Sequence, residues 1–478
     1  MKLLLLITLL FSSVLAQEIN LDRPYSLKTP QSQSLLQALH QQSAGDNLES
    51  HFPRRNSLWR PNLPINSMFS WHDDKSLLAI SPVQGYNFLG SERLADTVNA
   101  LEGGMVLRGY RDSVEFWLDA RIYNEDHRAS YPRSWDREFL EIQDSAINGA
   151  LSYTSYARYR GNLSIHFDWA RLSMGRDAAH WGPAWKHALV FNQNAIPFPQ
   201  ASLETQIGPL TVKTLYGDLN IGGHSMSNLN TRDRNLYAHR YELKLGSNVL
   251  LGISEATIVD SISAPILFVP IVPLFMHKGQ MSEDYNNGLL GLDLAFRLPG
   301  WGRIYGEFML DDMESPISLW ENSTIEAKWG GTVGLHLIHD WDYLQLGWIS
   351  EYARVEPYVY THFKPNTAQV AHQGQPLGAP LGPNSQAIET MFYGYWKEKI
   401  QISLSSSWHW KGTDYGSALN DTTPVYDHHS TPKYFIKDAP MQWALSPRLA
   451  YIGTYLHGEA EITFGTRRRF ATRIGLSW

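Results

Sequence analysis

Val114-Glu115-Phe116-Trp117-Leu118-Asp119-Ala120-Arg121-Ile122-Tyr123 is the stretch that decides the fold. Val114, Phe116, Leu118, Ala120 and Ile122 share one face of an extended chain, and Glu115, Trp117, Asp119, Arg121 and Tyr123 share the other. A period of two over this length predicts a β-strand with one apolar side, because successive side chains of a strand point to opposite faces.

The same split recurs along the chain. Leu163, Ile165, Phe167 and Trp169 alternate with Ser164, His166 and Asp168. Leu290, Leu292, Leu294, Phe296 and Leu298 oppose Asp293 and Arg297, and Ile304, Phe308 and Leu310 oppose Arg303, Glu307 and Asp311. Ile400, Ile402, Leu404, Trp408 and Trp410 face away from Gln401, Ser403, Ser405, Ser407 and His409. Leu456, Ala460, Ile462 and Phe464 face away from Tyr455, His457, Glu459 and Glu461.

A soluble sandwich also alternates. Here, however, the polar face mixes Arg, Asp, Glu, His and Tyr, as a lumen lined with paired charges would. Strands of about ten residues, ends marked by Trp and Tyr, and both short turns and long loops fit an outer-membrane barrel. Past residue 16 no run of about 18 apolar residues occurs, which excludes spanning helices. Closure is a physical requirement, since lipid offers no partner to the N–H and C=O groups of an open sheet edge. The expectation is an all-β transmembrane chain, a closed antiparallel outer-membrane β-barrel of about 18 strands with a small N-terminal helical element.

The ends agree. Met1-Lys2, the apolar run Leu3 to Leu10, and the small or short residues Val14 and Ala16 read as a secretory signal peptide cleaved after Ala16. No Cys follows, so the signal is not that of a lipoprotein. At the other end Phe470, Thr472, Ile474, Leu476 and Trp478 share one face, a terminal aromatic strand that resembles the signal read by the barrel assembly machinery. That machinery and outer-membrane lipids are therefore expected partners. Residues 17–70, with Leu35, Leu36 and Leu39 in an amphipathic pattern, read as a periplasmic helical segment, and 71–478 as the barrel, with a first strand near Leu77.

Composition narrows the alternatives. Charged residues are 18% against about 25% in soluble domains, while 17 Trp and 24 Tyr call for many half-exposed aromatic positions. The absence of Cys rules out disulfides and thiolate metal sites. A net charge of −7 without a basic run excludes nucleic acid as a partner, Arg467 to Arg469 being one short cluster. Three stretches do not read as wall: Pro265 to Met276, interrupted by Pro270 and Pro273, is expected to form a lid or lumen-directed loop, and Lys364 to Ser385 and Gly412 to Lys437 are long irregular loops.

Several strings resemble the Wzi family of capsule assembly proteins: Gly175-Arg176-Asp177-Ala178-Ala179-His180-Trp181-Gly182-Pro183, Tyr237-Ala238-His239-Arg240, Leu251-Gly252-Ile253-Ser254-Glu255, Tyr305 to Asp312, Tyr358-Val359-Tyr360-Thr361-His362 and Leu381-Gly382-Pro383-Asn384-Ser385. The resemblance implies an outer-membrane barrel that tethers capsular polysaccharide, with a helical bundle at its periplasmic end. The function it implies is a lectin-like protein without enzymatic activity that holds capsular or exopolysaccharide at the cell surface.

Sugar recognition needs flat aromatic faces and planar polar groups, and Arg offers a two-pronged fork to a uronic acid. Arg176, Asp177, His180 and Trp181 supply these types within one short string, and His239, Arg240, Asp311 and Asp312 join them as candidate polysaccharide contacts. Each has a plainer reading. Arg176 suits an ion pair with Asp177 or another lumen acid, and Asp311 and Asp312 suit a solvated or Arg-paired turn as well as a hard-cation site. Asp427-His428-His429 lacks further ligands for a transition metal. No metal or cofactor is expected. Two further functions compete: a porin or substrate channel, which shares the barrel features, and a hydrolase built on His409 near Ser405 and Ser407, whose spacing lumen polarity alone explains.

Overall fold

The computed structural model describes residues 69–72, 76–91, 98–127, 153–220, 234–260, 265–271, 273–274, 286–311, 328–341, 343–362, 368–397, 399–413, 416–421, 439–452, 456–466 and 469–477. The signal peptide, the N-terminal helical segment up to residue 68, Asp312 and Asp427 to His429 lie outside these residues.

The chain is built from strands Phe69–His72 (β1), Ser76–Ser91 (β2), Val98–Arg111 (β3), Val114–His127 (β4), Tyr153–His166 (β5), Ala170–Asp177 (β6), Phe198–Ile207 (β7), Leu210–Leu219 (β8), Arg234–Leu245 (β9) and Val249–Asp260 (β10). Asn287–Leu298 (β11), Gly302–Asp311 (β12), Lys328–Trp341 (β13), Leu344–Val355 (β14), Ala371–His372 (β15), Gln375–Pro376 (β16), Ser385–Trp396 (β17), Ile400–Lys411 (β18), Gln442–Ile452 (β19), Leu456–Gly465 (β20) and Arg469–Ser477 (β21) follow.

Apart from the β15–β16 hairpin, each strand from β2 onward pairs antiparallel with the next, and β21 pairs with β2 through Val83↔Ser477 to Ser91↔Arg469. The ring closes with eighteen strands among the described residues, β2 to β14 and β17 to β21. Among the described strands of the large sheet, β1 stands outside the ring. It pairs with the first part of β2, from Phe69↔Ile80 to His72↔Leu77, where β21 no longer reaches.

The burial is inverted relative to a soluble protein. Along β4, Trp117, Asp119, Arg121 and Tyr123 are buried while Val114 and Ile122 are exposed. Leu292, Leu294, Phe296, Ile304, Ile402, Leu404, Ile462 and Phe464 are likewise exposed, and Asp293, Arg297, Arg303, Glu307, Gln401, Ser403, Glu459 and Glu461 are buried. An apolar band this continuous around a closed barrel is the surface of a lipid-embedded wall. Inside, charges are paired both within a strand and between strands. Arg121 binds Asp119 and Glu102, Arg240 binds Asp293 and Glu242, and Arg448 binds Glu459.

One strand differs from its sequence reading. The alternation through residues 163–169 runs past the end of β5 at His166, and Phe167 and Trp169 lie in the turn to β6 with stacked rings 6.0 Å apart. Aromatics at a strand end keep the period of two whether or not the ladder continues. The turn belongs to the end of the barrel that carries the short links, such as 112–113, 208–209 and 299–301. The connections 178–197, 220–233, 261–286 and 356–384 leave the opposite end.

Candidate functional site

Residues 178–197, between β6 and β7, pass through the barrel interior without forming regular structure of their own. Backbone polar groups inside a protein need partners, and wall glutamates supply them. Glu307 on β12 accepts the N–H groups of Ala184 and Leu189 at 2.8 and 2.9 Å. Glu351 on β14 accepts those of Trp185, Lys186 and His187, at 3.1 and 2.8 Å for the latter two, and also the Tyr305 hydroxyl at 2.9 Å. Glu389 on β17 accepts from the Lys186 ammonium at 2.8 Å and pairs with His409 Nε2 at 2.6 Å. The Thr332 hydroxyl donates to the His187 carbonyl at 2.9 Å. Hydrogen bonds to charged acceptors contribute about 1.5–3 kcal/mol each, so the loop is pinned at several points.

The connection between β14 and β17 lies against it. Tyr360 donates its hydroxyl to the Leu189 carbonyl at 2.7 Å and accepts the Ala379 N–H at 3.0 Å, while its own N–H donates to Asp311. Burial pushes the Tyr360 phenol above the usual tyrosine range. Asn192 N–H donates to the Leu377 carbonyl at 2.7 Å. Gly378 is the point of closest approach, since a Cβ there would stand 2.0 Å from the Leu189 carbonyl oxygen. Trp181, Leu189, Val190, Phe191, Tyr360, Val370, Leu377 and Ala379 belong to one buried apolar cluster that also takes in Leu215, Leu236, Ala256 and Met309 of the wall. Two long connections thus make a plug packed against the inner face of the barrel.

A third segment is tied in similarly. His239 faces Glu255 through Nδ1 at 3.1 Å and the Leu267 carbonyl through Nε2 at 2.9 Å, and Glu255 accepts the Leu274 N–H at 2.9 Å. Within the Pro-interrupted stretch Pro265–Phe268 forms a 3-10 turn, and Leu267 and Leu274 are buried against Tyr237 and Val259. Arg234 donates to the carbonyls of Gln369, Ala371 and Asn220 at 2.9, 2.7 and 3.0 Å. Beside it His372 Nδ1 accepts the Asn220 N–H at 3.2 Å. Burial, with the Arg176 and Arg234 charges, lowers the His372 pKa to about 3.

The residues singled out in the sequence divide into two groups. Trp181 is 8% exposed and meets Phe191 edge-on at 4.8 Å, and His239, Arg240 and Asp311 are all buried. Arg240 forks onto Asp293 at 2.6 and 2.9 Å and onto Ser254 at 2.8 Å. Arg176, Asp177 and His180 are only partly buried. Arg176 alternates with the lumen-facing side of β6, its guanidinium lying 4.6 Å from the centre of the Tyr159 ring and donating to the Tyr159 carbonyl at 2.6 Å. Tyr159 is 54% exposed, and β5 continues beyond the end of β6 at this step in the wall. His180 Nδ1 accepts the Gln193 N–H at 3.3 Å, leaving Nε2 to donate to the Gly182 carbonyl at 3.2 Å.

In the sequence Glu307 stands out only as a member of a polar strand face, and Glu351, Glu389 and His187 do not stand out at all. Glu307 and Glu351 bind backbone groups of a distant loop and Glu389 binds the Lys186 side chain of that loop, contacts that leave no local pattern. His409, read beside Ser405 and Ser407, has its Nε2 on Glu389 instead.

No curated protein matches the sequence. Among solved structures the fold is similar to Wzi of Escherichia coli, described as an outer membrane protein involved in group 1 capsule assembly and a carbohydrate-binding β-barrel. That likeness has 15% identity, covers 88% of this chain and 87% of that one, and has a TM-score of 0.50. OpdO of Pseudomonas aeruginosa (11% identity, 85% of this chain and 97% of that one, TM-score 0.46) and OccAB2 of Acinetobacter baumannii (11%, 84% and 98%, 0.47) are also similar. The family model of the capsule assembly protein Wzi matches residues 121–432, a span that contains every one of the resembling strings and the whole plug they build, and the chain belongs to that family.

Proposed function

We propose that this chain is an outer-membrane, non-enzymatic, lectin-like barrel that binds and anchors capsular or exopolysaccharide at the cell surface. The observation that carries the reading is the plug. The strings that resemble this capsule assembly family lie in the plug or on the wall strands around it, beneath the end that bears the long connections. A filled barrel offers that end as a shaped surface and suits holding a polymer better than passing a solute. The E. coli relative, described as carbohydrate-binding, favours the same chemistry.

The contacts we assign to polymer are Arg176, Asp177 and His180, which are only partly buried where β6 passes into the plug loop. Trp181, His239, Arg240 and Asp311, being buried, act by fixing the plug under that surface. Asp312 follows Asp311 at the end of β12 and remains a proposed polymer contact. The engagement of His409 by Glu389 supports a role in the lumen network over catalysis. The test is a deletion strain carrying the intact gene or an Arg176→Ala, His180→Ala variant. Polymer shed into the medium by the variant at normal barrel abundance supports the assignment. Polymer retained at the wild-type level rejects it.

A further inference from the structure

His187, Glu389 and His409 come together from three places: the plug loop, β17 and β18. Their ligand atoms all lie within 4.8 Å of one another, and all three residues are buried. His409 Nε2 is 2.6 Å and His187 Nε2 is 3.7 Å from the same oxygen, Glu389 Oε1. His187 Nε2 is buried and has no hydrogen-bond partner in this cluster. A buried polar atom left unpaired is costly and calls for an explanation.

We propose that these three side chains bind a divalent metal ion of the zinc class, tying the plug to the wall. Two imidazole nitrogens and one carboxylate oxygen are a ligand set of such ions, at about 2.0–2.2 Å from the metal. Tetrahedral ligands at that distance are about 3.4 Å apart, within the span between the close His409–Glu389 pair and the wider His187 gap. Small rotations that open the first and shorten the second bring the three ligand atoms to that spacing and give His187 Nε2 a direct ligand bond in place of its long contact with Glu389. The surroundings hold the ligands in place: Lys186 sits on the second oxygen of Glu389 at 2.8 Å, and Glu351 and Thr332 fix the backbone of His187 on both sides. Lys186 also limits Glu389 to one oxygen for the metal, leaving a fourth position to water. The sequence reading assigned no metal, because His187 lies more than two hundred positions from the other two ligands.

The test uses the untagged full-length mature protein, folded in detergent, stripped with a chelator and titrated with Zn²⁺ and with Co²⁺. The expected result is one equivalent of either ion, with the intense visible bands of four-coordinate Co²⁺. Those bands are lost in His187→Gln and in His409→Gln, each checked as folded by its mobility on unheated gels. X-ray absorption of the zinc-loaded wild type is expected to show two imidazole nitrogens, a measurement that needs no variant. Absence of stoichiometric binding by the wild type, an oxygen-only zinc shell, or unchanged binding by a folded His187→Gln, His409→Gln double variant would each overturn the proposal.

Discussion

Gly182 stands directly against Glu307: a Cβ built on the glycine would fall 2.2 Å from Glu307 Oε1. The backbone at Gly182 also has φ +99°, where side chains other than hydrogen are strained. Glu307 cannot swing aside without releasing the N–H groups of Ala184 and Leu189. Gly182→Ala is therefore expected to destabilise the plug by about 1–3 kcal/mol, read as a lower temperature of gel-mobility unfolding with the barrel still inserted.

Glu351 presents the complementary experiment. Its carboxylate accepts three consecutive backbone N–H groups and a tyrosine hydroxyl. Glutamine at this position keeps the shape but turns one acceptor into a donor aimed at donors. Glu351→Gln is expected to loosen residues 184–187, giving protease cleavage in the loop and current bursts in a planar bilayer that the wild type lacks. Wild-type protection in the variant would mean the carboxylate does not hold the loop.

Much of this was legible in the sequence, and the limit is physical. The period of two sorted β4, β11, β18 and β20 into an apolar outside and a polar inside, because lipid contact imposes that period on every wall strand. It ran past the end of β5, where Phe167 and Trp169 carry the alternation into a turn, and it gave no sign of the short β1, Phe69–His72. The plug was hidden. Its loop has no period, and its partner Glu351 is 164 positions from His187. For the same reason Trp181, an aromatic in a polar string, read as a sugar platform although Phe191 covers it.

The wall and the loops should tolerate charge differently. Leu292 lies near the middle of β11 with its side chain outward, whereas Ile271, 86% exposed, follows the turn formed by Pro265–Phe268. Leu292→Arg is expected to cost about 2–4 kcal/mol of folding in lipid vesicles, as for a cation near the bilayer midplane. Ile271→Lys should leave folding within about 0.5 kcal/mol of wild type. Equal effects of the two would contradict the lipid-facing assignment of β11.

His372 predicts a pH dependence. Its folded pKa of about 3 is below the ordinary value of 6.5, owing to burial and then the Arg176 and Arg234 charges. The unfolded chain takes up the proton first, so the stabilisation is complete above about pH 6.5 and is lost as pH falls toward 3. Within that window the slope is about 1.4 kcal/mol per pH unit. The difference in unfolding midpoint between wild type and His372→Gln is expected to change as pH is lowered from 7 to 4, always to the disadvantage of the wild type. A constant difference would show that His372 does not titrate in this window in the unfolded chain alone.

The central claim is that the surface above the plug holds polymer, and the most direct measurement is equilibrium binding. Purified, detergent-folded protein is titrated with surface polysaccharide from its own producing strain, beside a barrel of similar size from a strain without that polymer. Saturable binding, weakened by Arg176→Ala and His180→Ala in folded protein, is the predicted result. No saturable binding, together with a large steady conductance in a planar bilayer, would contradict it and make the chain a channel.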